Sequence, residues 1–199
     1  MKTDPSARSG EPFEHASFIT KRTSRPVQAE VQHNASLAVM RAFGLDDDAR
    51  VSEAVTRATV VMPSGAGKTV TGLRVVEALA RKTHLSNVLV LMPTLDLVSQ
   101  TVREWGEWAD RHPLPLSALA VCSKIDGDIP RTTDPVAVAK FLGQSTGVNV
   151  VFATYHSWNT VATAQGLLSE QGTPHSLDLI ICDEAHLTAG RANKFFSQP

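Results

Sequence analysis

The chain of 199 residues has little of several things, and each shortage argues against a class of protein. Cysteine occurs twice, at Cys122 and Cys182, each closing an apolar run. That argues against a disulfide framework or a cysteine metal site, and both thiols read as small core residues. Neither sign of charge is in excess: 19 lysines and arginines stand against 20 aspartates and glutamates, a formal net charge of −1. No global basic field advertises nucleic acid, so any such contact must come from a local groove. No apolar stretch approaches the ~20 residues of a membrane span. The N-terminus lacks the hydrophobic region of a signal peptide, which points to the cytoplasm and to no membrane partner. Internal repeats and low-complexity tracts are missing too.

What is present is a 42% hydrophobic composition, enough for the core of one domain. Residues 1–24 are polar and read as a flexible lead-in, with a short ordered piece around Phe13 to Ile19. The folded domain is expected over 25–199. A helix opens at Arg25-Pro26, with proline tolerated in its first turn. Val27, Val31, Ala35, Ala38 and Ala42 recur on it at helical spacing, and Gly44 stops it. Asp46, Asp47 and Asp48 mark an acidic surface turn. Further helices are expected after Lys68 to about Lys82, from Leu95 to Ala109, from Pro135 to Leu142 behind an Asp134 N-cap, and from Ser157 to Ser169. Between them lie apolar runs of strand length: Ala58–Val61, Asn87–Met92, Leu116–Cys122, Val148–Ala153 and Leu177–Cys182. Ser123 to Thr133, with Gly127 and Pro130, reads as a surface loop. Strands alternating with helices, and apolar on both faces, predict an α/β fold with a mostly parallel sheet and helices on both faces.

The chemistry concentrates at Met62-Pro63-Ser64-Gly65-Ala66-Gly67-Lys68-Thr69. A strand, a glycine turn and a helix start in that order make a phosphate cradle. Ser64, Gly65, Ala66 and Gly67 would offer backbone N–H groups, with no Cβ at the glycines to obstruct an anion. Lys68 can reach outer phosphates, and the Thr69 hydroxyl can hold Mg²⁺. The general pattern wants glycine six residues before the lysine, and that position is Met62. The plainer alternative is a glycine turn joining a strand to a helix.

A second group follows the last strand. Asp183 and Glu184 come directly after four apolar residues, Leu179 to Cys182. Carboxylates at the end of a buried strand are costly unless something pairs with them. Beside a phosphate loop they have a clear use. Asp183 can support Mg²⁺, and Glu184 can polarise the water that attacks a γ-phosphate. A solvated turn is the alternative. Trp105 and Trp108 lie on a helix with core spacing, and packing is favoured over base stacking.

Together these segments resemble the restriction-type superfamily 2 DEAD/DEAH-box helicases, the group around type I and type III restriction subunits. The P-loop resembles that lineage's A-x-T-G-x-G-K-T, with Ser64 where threonine is usual. Asp183-Glu184-Ala185-His186 resembles its motif II. Met92-Pro93-Thr94-Leu95 through Gln100 resembles motif Ia, and Val151 to Ser157 resembles the strand with "TYxS" that follows. Arg25-Pro26-Val27-Gln28 is similar to the stretch whose glutamine reads adenine. The resemblance covers roughly residues 25 to 190 and implies a P-loop NTPase domain of RecA-like fold that binds ATP and Mg²⁺. It implies Lys68, Asp183 and Glu184 as catalytic residues, with Thr69 and Asp183 on the metal. Gln28, Ser64, Gly65, Ala66, Gly67, Lys68 and Thr69 would hold the nucleotide. Pro93, Thr94, Thr154 and Tyr155 would face nucleic acid, double-stranded DNA by the restriction-type likeness. His186 would couple the site to a second RecA-like domain, in cis or in trans, that brings an arginine finger. The chain ends 13 residues after His186, before any such domain, so a truncated and nearly inactive ATPase is expected. The alternative is a non-catalytic ATP-binding remnant or docking module.

Overall fold

The computed structural model describes residues 13–45, 55–109, 114–126, 129–144, 147–172 and 177–185. Its elements are α1 (Phe13–Ala42), α2 (Lys68–Lys82), β1 (Asn87–Met92), α3 (Leu95–Ala109), β2 (Leu116–Val121), β3 (Arg131–Thr132), α4 (Pro135–Leu142), β4 (Val148–Thr154), α5 (Trp158–Glu170) and β5 (Leu179–Cys182). A 3₁₀ turn, Tyr155–Ser157, joins β4 to α5. The strands form one sheet in the order β3-β2-β4-β1-β5, and every pairing is parallel.

The central strands are buried along their whole length. Because side chains alternate across a strand, β1 sends Val88, Val90 and Met92 to one face and Leu89 and Leu91 to the other. On the first face they join Val150 and Phe152 of β4 under α2 and α3, through Leu73, Val76, Val98, Val102 and Trp105. On the second they join Val151 and Ala153 under α4 and α5, through Val138, Leu142, Val161 and Leu168. Each such side chain contributes about 1.5–3 kcal/mol when fully buried. The expected layers, helices on both faces of a parallel sheet, are therefore present, built from four of the five runs that read as strands. Trp105 is core, as its spacing predicts, at 3% exposed. Cys122 is buried and Cys182 half-buried, and both are free thiols.

Local rules place most boundaries. The Asp134 carboxylate accepts from Val136 N at 2.9 Å and caps α4, with Pro135 at its first position. Gly44, at φ +70°, ends α1 with paired bonds from Leu45 N to Met40 O and from Gly44 N to Arg41 O, both 2.9 Å. The Asp178 carboxylate accepts from Ser86 N at 2.8 Å and Asn87 N at 2.9 Å, clipping the entry of β5 to that of β1.

Four expectations need correction. Helix α1 begins at Phe13 rather than at Arg25, so Pro26 lies inside the helix. Among its described side chains α1 buries Ser36, Val39 and Met40, and the last two pack on Val75 and Leu79 of α2. Val27 and Val31 are exposed, because the contact with α2 falls on Val39 and Met40 and not on the expected stripe. Ala58–Val61 is not a strand: it runs without regular structure, and Val61 is 91% exposed. A strand needs a ladder partner, and this run pairs with no described strand. Within the expected 123–133 loop, Arg131–Thr132 pairs with β2 as a two-residue edge strand. The acidic turn at Asp46, Asp47 and Asp48 lies outside the described residues, as does His186. Among the described residues, no helix is long and apolar enough to cross a membrane.

Candidate functional site

Parallel strands bring their carboxyl ends to one edge of the sheet, where ligands of such folds collect. Pro93-Thr94 follows β1 there, Thr154 ends β4 ahead of Tyr155, and Asp183-Glu184 follows β5. The P-loop candidate reaches the same edge with no strand beneath it among the described residues. Lys68 Nζ donates to Glu184 Oε1 at 2.9 Å, which joins two segments 116 residues apart. The two side chains are 35% and 29% exposed, so water screens their attraction. The bond to Glu184 raises the Lys68 pKa above its ordinary value, against an opposing effect of desolvation. Lys68 therefore remains a cation at neutral pH.

The loop itself has the shape its glycines predict. Gly65 and Gly67 adopt φ +76° and +88°, in the left-handed region. Left-handed residues in alternation turn successive N–H groups toward a shared concavity, which suits an anion. Gly67 precedes α2 and accepts from Thr71 N at 2.9 Å, so the positive end of the helix dipole opens at the loop. A Cβ at Gly67 would come within 2.2 Å of Gln32 Nε2, whereas one at Gly65 would meet nothing within 4 Å. Met62, standing where the general pattern has glycine, places its sulfur 3.4 Å from the Thr71 hydroxyl and so touches the first turn of α2.

Two glutamines hold the loop from α1. Gln28 Nε2 donates to Gly65 O at 2.9 Å, and Gln32 Nε2 donates to Ala66 O at 3.3 Å. Gln28, the candidate adenine reader, is thus placed against the phosphate loop itself. Gln32 is not among the residues the sequence singles out, although its distance from Gln28 is one helical turn and puts both on one face. Trp105 carries a second unforeseen contact: its indole Nε1–H donates to Thr69 O at 3.2 Å.

On the other side, Asp183 N donates to Leu91 O at 2.9 Å, one rung beyond β5. The Asp183 carboxylate accepts from Glu184 N at 2.9 Å. Glu184 adopts φ +50°, a left-handed conformation that costs a non-glycine residue roughly 1–3 kcal/mol. The Tyr155 hydroxyl donates to Asp183 O at 2.7 Å. Burial, reinforced by the neighbouring Cys182, Asp183 and Glu184, pushes the Tyr155 phenol far above its ordinary range, so it stays a donor. Burial also raises the Cys182 thiol, opposed by its hydrogen bond with Tyr155.

The remaining nucleic-acid candidates are engaged locally. Thr94 Oγ1 accepts from Leu97 N at 3.3 Å, capping α3, while the residue stays exposed. Thr154 is 7% exposed, and its hydroxyl lies 3.1 Å from that of Ser157. Pro93 is half-buried beside Thr94.

The donor set fits a magnesium ion: the Thr69 hydroxyl and Asp183 carboxylate are hard oxygens. Among the described residues, no group of three or more His, Cys, Asp or Glu could hold a metal by itself. A metal here would share its shell with phosphates and water, as Mg²⁺ commonly does.

A family profile described as the type III restriction enzyme res subunit matches residues 23–197. Two solved structures are similar. A nuclease-deletion mutant of the Type ISP restriction-modification enzyme LlaGI, in complex with a DNA substrate mimic, is 30% identical with a TM-score of 0.60; the match covers 78% of this chain and 15% of that one. The ATP-dependent Type ISP restriction-modification enzyme LlaBIII, bound to DNA, is 29% identical with a TM-score of 0.62, over 81% of this chain and 10% of that one. The chain thus spans a small part of the length of these structures. A search of curated proteins found no match.

Proposed function

This chain belongs to the type III restriction enzyme res subunit family, with the fold of a superfamily 2 helicase-like ATP-binding domain, and from that premise we propose that it is the ATP-binding half of an ATP-dependent DNA helicase or translocase. The observation that carries this is the Lys68–Glu184 contact, which joins the phosphate loop to the DEAH carboxylates in one site. The loop N–H groups of Ser64 to Gly67 and the Lys68 ammonium bind the phosphates. When Lys68 turns to phosphate, the Glu184 carboxylate is released to orient water. That water attacks the γ-phosphorus, its proton moves toward Glu184, and the bond to the ADP oxygen breaks. Magnesium bound with ATP would be held by Thr69 and Asp183 and would neutralise phosphate charge. Gln28 and Gln32 fix the loop from α1, and Gln28 is the adenine reader.

Double-stranded DNA is the proposed partner, met by Pro93, Thr94 and the Thr154-Tyr155 segment. The Tyr155 hydroxyl is committed to Asp183 O, so this residue would offer its main chain. His186 would couple the site to a second RecA-like domain that supplies an arginine finger. The proposed compartment is the cytoplasm. Arginine fingers are worth about 10³–10⁵ in rate, so turnover should be very slow wherever that domain is not engaged.

The test is ATP turnover by the purified chain, with and without duplex DNA, beside Glu184→Gln. Expected is Mg²⁺-dependent ATP binding with slow turnover, the turnover lost and the binding kept in Glu184→Gln. Absence of ATP binding would overturn the assignment. Binding with no turnover under any condition would support the non-catalytic docking module instead.

A further inference from the structure

Thr69 and Asp183 come from opposite sides of the site, one from a helix start and one from a strand end. In each, the main-chain carbonyl is held by the polar tip of an aromatic ring. Trp105, 3% exposed, donates its indole N–H to Thr69 O at 3.2 Å. Tyr155 donates its hydroxyl to Asp183 O at 2.7 Å.

Both rings are themselves anchored. Trp105 packs edge-to-face on Phe152 of β4, with ring centroids 5.3 Å apart and planes at 78°. Gly72 of α2 lies beside it: a Cβ there would lie at ordinary contact distance, 3.7 Å, from both Trp105 Cζ2 and Ile181 Cδ1 of β5. The first turns of α2 are thereby referenced to the sheet through one rigid side chain. Tyr155 follows β4 directly and packs into the opposite core layer beside Cys182. Its bond holds the carbonyl that precedes Glu184, whose φ of +50° needs external support. A carbonyl oxygen has two lone pairs, so Thr69 O can take the indole bond in addition to its helical one. Aromatic side chains have few rotatable bonds, so each tether fixes its carbonyl at low entropic cost.

We propose that Trp105 and Tyr155 are positioning residues for the magnesium–nucleotide site, each fixing the main chain beneath one of its two oxygen donors; this rests on the function proposed above. Neither ring touches the nucleotide. Their effect is on the separation and aim of the Thr69 hydroxyl and the Asp183 carboxylate, so it is felt where the metal bridges them.

The experiment uses the full chain, a fluorescent non-hydrolysable ATP analogue, and titrations with and without Mg²⁺. Trp105→Phe loses the N–H together with part of the ring, so its folding is checked first; Tyr155→Phe loses one oxygen. Each should cut the Mg²⁺-dependent gain in affinity by about fivefold, the scale of one lost hydrogen bond, and leave Mg²⁺-free affinity within about twofold. Equal losses with and without Mg²⁺ would mean a purely structural role and overturn the proposal. An unchanged Mg²⁺ gain in both folded variants would overturn it as well. Tyr155→Phe carries the test alone if Trp105→Phe fails to fold. Failure of the parent function reads differently: the unaltered chain would then show no Mg²⁺-dependent nucleotide binding at all.

Discussion

The two halves of the site are anchored in different ways. The Asp183-Glu184 side grows out of the sheet: β5 pairs with β1 over Leu179–Cys182, and the ladder continues to Asp183 N. The phosphate loop has no strand beneath it among the described residues. It is held by side chains: Gln28 and Gln32 from α1, and Glu184 across the site. A ladder distributes its hold over many backbone bonds, whereas the loop depends on a few contacts that single substitutions remove. The loop should therefore be the more fragile half for binding, and the carboxylate half the more robust.

Among substitutions that act on how the loop is held, Gly67→Ala should have the largest effect. It combines a left-handed φ of +88° with a Cβ only 2.2 Å from Gln32 Nε2. Nucleotide affinity should fall at least about tenfold, with about 1–3 kcal/mol lost in denaturant unfolding. An unaltered affinity would show that the loop does not bind in this conformation.

Asp178→Ala is the matching test of the sheet-anchored half. It leaves two backbone N–H groups, Ser86 and Asn87, without their carboxylate. About 1–3 kcal/mol should be lost in denaturant unfolding, while the nucleotide affinity of the folded fraction changes less than about twofold. If affinity fell in step with stability, the two halves would not be separable.

Gln28→Ala and Gln32→Ala should each weaken nucleotide binding by about three- to tenfold with a small change in melting temperature. The α1 side chains here are solvent-accessible and contribute little to the core. A larger effect of Gln28→Ala on adenine than on guanine nucleotides would assign it base reading in addition to loop support. Equal effects would leave only the support.

The smallest effect should come from Arg81→Ala. Its ion pair with Glu77 is an i,i+4 pair on α2, away from the loop, with the Arg81 side chain exposed. Less than about 0.5 kcal/mol of stability should change, and nucleotide affinity not at all. A measurable loss of affinity would mean that α2 transmits disturbances along its length to the loop.

Much of this organisation is legible in the residues. Runs such as Asn87–Met92 and Val148–Ala153 are too short for a buried helix and too apolar for a loop, so they have one reading as strands. Asp134-Pro135 and Gly44 carry their instructions locally, in a cap and a left-handed turn. Ala58–Val61 misleads for the opposite reason: its β-branched residues suit a strand, but a strand exists only where a partner edge is available, and no local signal reports that. The start of α1 is hidden because its first residues lack an apolar period. The carboxyl-end location of Pro93-Thr94, Thr154-Tyr155 and Asp183-Glu184 follows from parallel topology alone. The bonds from Gln32 and Trp105 do not, since hydrogen bonds to carbonyls 34 and 36 residues away leave no trace in spacing.

The central claim is that Lys68 and its loop form an ATP site, and the most direct measurement is calorimetric titration of the chain with ATP and Mg²⁺, beside Lys68→Ala. Saturable binding that weakens at least about 100-fold in Lys68→Ala, or about 2.7 kcal/mol, is the predicted result. Equal affinity in the two proteins would contradict it, because the nucleotide would then be held without the residue on which the whole site converges.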